Sequence, residues 1–95
     1  MTDRAEITLE IGGEDFDFVM DTALVTKYIN GLSQNNKVSP SHNLLMNAVV
    51  QDQKAKLKPL LSHPSTTLEI AGALVDEFSP KVEVTVKKRS STLTA

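Results

Sequence analysis

The chain has 95 residues, no cysteine, a hydrophobic content of 40% that is only 4% aromatic, and a formal net charge of -2. That length suits one domain with an aliphatic core, and the missing cysteine excludes disulfides, thiolate metal sites and thiol catalysis. A nucleic-acid binder usually carries a basic surplus, which this chain lacks, and no apolar run approaches the roughly 20 residues of a membrane span.

The opening residues MTDRAE are polar and lead into a strand, unlike a signal peptide, so a cytosolic protein is expected. From Ala5 to Ile11, Ile7, Leu9 and Ile11 alternate with Glu6, Thr8 and Glu10, the period-two pattern of a half-buried strand. Gly12 and Gly13 supply the positive φ that a tight hairpin turn needs. Phe16, Phe18 and Met20 then alternate with Asp17 and Val19 in a returning strand. The glycine pair is not a phosphate loop: no third glycine or lysine follows at the required spacing, and a strand follows where a helix is needed.

Asp21 or Thr22 can cap a first helix, whose stripe is Leu24, Val25, Tyr28, Ile29 and Leu32. Gly31 weakens its last turn, and SQNNKV forms a polar loop. Ser39 as cap and Pro40 at the first helical position predict a second helix with Leu44, Leu45, Ala48 and Val49 inward. Asp52 can cap a third, Gln53 to Leu61, with Leu57, Leu60 and Leu61 inward, or the two run on as one bent helix. Pro59 predicts a kink near Ala55. His63-Pro64 is a break.

The next stretch carries the clearest signals. Thr66 and Glu69 have capping-box spacing. Leu68, Ala71, Leu74, Val75 and Phe78 recur as one helical stripe, and Ser79-Pro80 ends it. Val82, Val84 and Val86 then alternate with Glu83, Thr85 and Lys87, which predicts a final strand. The expected fold class is α+β: an N-terminal hairpin, three to four helices and a C-terminal strand. The three strands would form an antiparallel sheet, the last beside the first, with helices on one face. Residues 1–88 would be one domain and 89–95 a flexible tail.

No catalytic constellation emerges. His42 and His63 sit in different loop-adjacent positions with no converging carboxylate, so neither metal nor cofactor is expected. Adjacent Asp76 and Glu77 point about 100° apart on a helix and cannot share a proton. Lys81, Lys87, Lys88 and Arg89 read best as charges that discourage edge pairing. Lys54, Lys56 and Lys58 beside Pro59 make a poor recognition helix.

Four stretches, EITLEIGGEDFDF, KYIN, NKVSPSHNLLMNAV and EIAGALVDEFSPKVEVTVKK, occur in an order that resembles the small phage tail assembly chaperones, from Glu6 to Lys88. The resemblance implies a non-enzymatic protein of the bacterial host cytoplasm, encoded by a phage or prophage. It implies binding to the tape measure protein, help for tail tube subunits assembling around it, and absence from the finished virion. It further implies a longer frameshifted form, for which codons at Lys87-Lys88 are the place to look. Such a partner is a long helical chain, and an adaptable apolar groove would hold it. Met46, Val50, Leu57, Leu60 and Leu61 offer more apolar surface than one small sheet requires, and methionine suits varied partners. They are the expected protein-binding residues, in contact with the tape measure protein, the tail tube protein or another copy of the chain. The alternatives are a structural minor tail component or a small interaction module with another partner.

Overall fold

The structure is a computed structural model that describes residues 4–80, 82 and 84–87. Strands β1 (Ala5–Ile11) and β2 (Glu14–Met20) form an antiparallel hairpin with Ile11 opposite Glu14, Leu9 opposite Phe16 and Ile7 opposite Phe18. Gly12 and Gly13 take φ of 61° and 84°, the paired positive values of a two-residue turn matched to strand twist. Opposed residues share a face, so Ile7, Phe16, Phe18 and Met20 are buried on one side. Glu6, Thr8, Glu10, Asp15 and Asp17 are exposed on the other. A hydrogen bond of 2.7 Å from Thr8 Oγ1 to Asp17 Oδ1 crosses that outer face.

Four helices follow: α1 (Thr22–Gly31), α2 (Val38–Ala48), the single turn α3 (Lys54–Leu57) and α4 (Pro64–Phe78). Helices α2 and α4 pack on each other and close the buried face of the hairpin. The core joins Phe16, Phe18 and Met20 to Leu44, Leu45, Ala48, Leu57, Ile70 and Leu74. Each large side chain sealed there contributes about 1.5–3 kcal/mol relative to exposure.

The α+β class holds, but the three-stranded sheet expected from sequence does not. The sheet has two strands among the described residues. Val82, Val84 and Val86 have no strand assignment and are 69%, 84% and 81% exposed. Alternation supplies an apolar face but no partner for it, and strand formation depends on that partner. The outer edge of β2 is itself occupied. Val50 N–H donates to Asp17 C=O at 3.0 Å, and Val49 forms an isolated bridge with Phe18. The side chain of Gln53 continues this substitute strand, its Oε1 accepting from Asp17 N–H at 2.6 Å and its Nε2 donating to Asp15 C=O at 3.4 Å. Residues 89–95, expected to be a tail, lie outside the described residues.

Local starts and stops differ from the sequence reading in instructive ways. Helix α2 begins at Val38 and takes no side-chain cap, so Ser39 is already inside it. Pro40 sits in its first turn, where amides have no helical partner, and is tolerated for that reason. Val49 and Val50 are extended, so α2 does not run on. Between Gln51 and Ser62 the chain makes two 3-10 segments around α3, with Pro59 in the second. A kinked continuous helix is avoided by breaking it. Helix α4 starts at Pro64 rather than after Thr66, with proline in its permitted first position. The buried stripe is Thr67, Ile70, Ala71 and Leu74, and Leu68 is exposed.

Candidate functional site

Helix α1 buries none of its residues. Its start is well made: Asp21 accepts from Leu24 N–H at 2.8 Å and satisfies an orphan donor. Leu24, Val25 and Tyr28 are half-buried against the core. Ile29 is 55% exposed, and Leu32 and Val38 beyond it are exposed as well. The apolar stripe read from the sequence is therefore present but only partly covered.

The reason is how α1 meets α2. A Cβ placed on Gly31 would stand 3.3 Å from Cγ of Pro40, so glycine permits a close approach at the C-terminal end of α1. Away from that point the helices part and leave a groove of about 240 Å³. Leu24, Tyr28, Pro40 and Leu44 form its apolar walls; Lys27, Asn36, Asn43 and Asn47 border it. An apolar floor with polar edges, continuous with the exposed Ile29–Leu32–Val38 surface in sequence, is the arrangement that receives an amphipathic helix.

The five residues expected to bind protein divide differently. Leu57 and Leu61 are buried in the core, Met46 and Leu60 are half-buried at its border, and Val50 is half-buried. Val50 is already engaged through its backbone with β2. The α1 surface was visible in sequence as a stripe, but nothing local marked it as the less covered one.

His42 is half-buried within α2, and His63 precedes α4 and is exposed. Asp76 and Glu77 are exposed on α4. Lys56 pairs with Glu14 at 2.6 Å in an exposed salt bridge, a contact worth at most about 1 kcal/mol. Among the described residues, no three histidines or carboxylates gather as a metal-binding group, and no helix is long and apolar enough to cross a membrane.

A family model described as phage tail assembly chaperone matches residues 7–88. The chain is also similar to a protein of Haemophilus phage HP1 (strain HP1c1), described as an uncharacterized 11.3 kDa protein in the lys 3' region. The two are 32% identical over 84 residues, covering 88% of this chain and 82% of the relative. No solved structure matches.

Proposed function

The chain belongs to the phage tail assembly chaperone family, and from that premise we propose that it binds the tape measure protein in the host cytoplasm and keeps it soluble while tail tube subunits assemble. The role is non-enzymatic. The observation that carries the reading is the partly uncovered stripe of α1 beside the groove shared with α2. A tape measure protein is a long helical chain whose apolar faces are unsatisfied before assembly. One such face seated in the groove would cover Leu24 and Tyr28, and Ile29 would meet it from the exposed side of α1. Met46 and Leu60 at the core border and the half-buried Val50 form a second proposed contact, with Leu57 and Leu61 supporting it from beneath.

Co-expression with the tape measure protein of the same phage tests this. The long protein should be insoluble alone and soluble in complex with this chain. Ile29→Glu should abolish that rescue, while the variant's own stability changes by no more than about 0.5 kcal/mol, as expected for an exposed site. Rescue undiminished by Ile29→Glu places the contact elsewhere. No rescue by the unmodified chain removes the proposed role.

A further inference from the structure

Strand β1 has an open edge. In a hairpin closed by a two-residue turn, every second pair exchanges hydrogen bonds, so Ile7, Leu9 and Ile11 bond inward to β2. Glu6, Thr8 and Glu10 therefore direct their backbone groups away from it. The matching groups on the far side of the sheet, at Asp15 and Asp17, are taken by Val50 and Gln53. Among the described residues no backbone bond covers the β1 side. Next to this edge lies a cleft of about 280 Å³ lined by Leu9, Ile11, Ile70 and Ala73, with Glu10 and Glu69 at its border.

The same chain holds a segment of complementary pattern. Val82, Val84 and Val86 alternate and are 69%, 84% and 81% exposed. Within one chain they leave the β1 edge unpaired. We propose that they pair with the β1 edge of a second copy, so that two chains exchange C-terminal segments.

Period-two geometry fixes what such pairing does. With the valines on the side of Ile7, Leu9 and Ile11, they enter the cleft above Ile70. Glu83, Thr85 and Lys87 then fall on the side of Glu6 and Glu10, so the outer face of the segment carries one acid and one base, and its surplus of positive charge lies at its two ends. Charge selects this occupant. Residues 1–21 have a formal charge of -6, from seven carboxylates and Arg4, whereas residues 81–95 have +3, from four cations and Glu83. Pairing two β1 edges directly would oppose Glu6 and Glu10 to their copies, which is unfavourable. The cationic segment removes that repulsion.

Light scattering of the full chain over a range of concentrations, with hydrogen exchange on the same samples, tests the exchange. The expected result is a dimer at high concentration in which the amides of Glu6, Thr8 and Glu10 exchange more slowly than in the dilute monomer. Val84→Asp should be monomeric at the concentration where the unmodified chain is dimeric, with the same thermal unfolding as the monomer; Val84→Ile should remain dimeric. The proposal is overturned by a chain that is monomeric throughout, by a dimer that survives Val84→Asp, or by a monomer whose three amides are already slow. The last result means that each segment pairs within its own chain. Should Val84→Asp not fold, the three amides of the unmodified chain decide alone. The outcome is independent of whether the tape measure protein is the partner.

Discussion

Two hydroxyl groups, of Ser41 and Thr67, are sealed in the interior, and each serves a helix start that has no side-chain cap. Ser41 Oγ donates to Lys37 C=O at 2.7 Å. Thr67 Oγ1 lies 3.1 Å from both Leu61 C=O and His63 C=O, so its one proton is shared between the end of the 3-10 segment and the residue before α4. It fastens two elements whose junction contains a proline. Replacing it by the isosteric valine keeps the packing and leaves Leu61 C=O without this donor in a buried place. Thr67→Val should therefore lose about 1–3 kcal/mol, read as a lower urea midpoint at unchanged slope. A midpoint equal to that of the unmodified chain means that packing alone holds the joint. The sequence pointed to a threonine cap here, but to Thr66 with Glu69. The spacing was right for a capping box; the proline at position 64 starts the helix earlier and turns Thr66 into an ordinary helical residue.

At the scale of elements, the hairpin was legible because its causes are local: paired glycines, alternation, and enough apolar residues on one face. The identity of the neighbour at the β2 edge was not, because it depends on residues more than thirty positions away. Gln53 looks like any polar residue after a cap, yet its amide stands in for a strand backbone by accepting from Asp17 and donating to Asp15. Gln53→Leu should cost about 0.5–1.5 kcal/mol and speed exchange at the Asp17 amide in particular, while amides paired between β1 and β2 change only with global stability. Uniform acceleration across the hairpin would mean that Gln53 acts on the whole fold and not on this edge. The same distance problem misled the reading of the C-terminal valines. Their alternation was correctly seen, but alternation shows only that a segment can present an apolar face, and whether it docks on an edge of its own chain depends on contacts distant in sequence that no local pattern reveals.

Across the whole molecule, burial is unequal. Helices α2 and α4 each bury four or more residues, whereas α1 buries none. A ten-residue helix is marginal in water by itself, so α1 depends on its N-cap and on half-buried contacts of Leu24, Val25 and Tyr28. Elements with few buried apolar contacts open at lower free energy than the core. Native-state hydrogen exchange should accordingly give α1 amides a smaller opening free energy than α4 amides, in denaturant too low to unfold the chain. This bears directly on the proposed role. A groove with one loosely held wall can adjust its width to different stretches of a long helical partner, at the cost of ordering that wall on binding. The partner should then raise protection in α1 more than in α4. Equal protection of both helices in the free chain would make the groove rigid, and a rigid groove would accept one particular helix rather than successive segments of a long one.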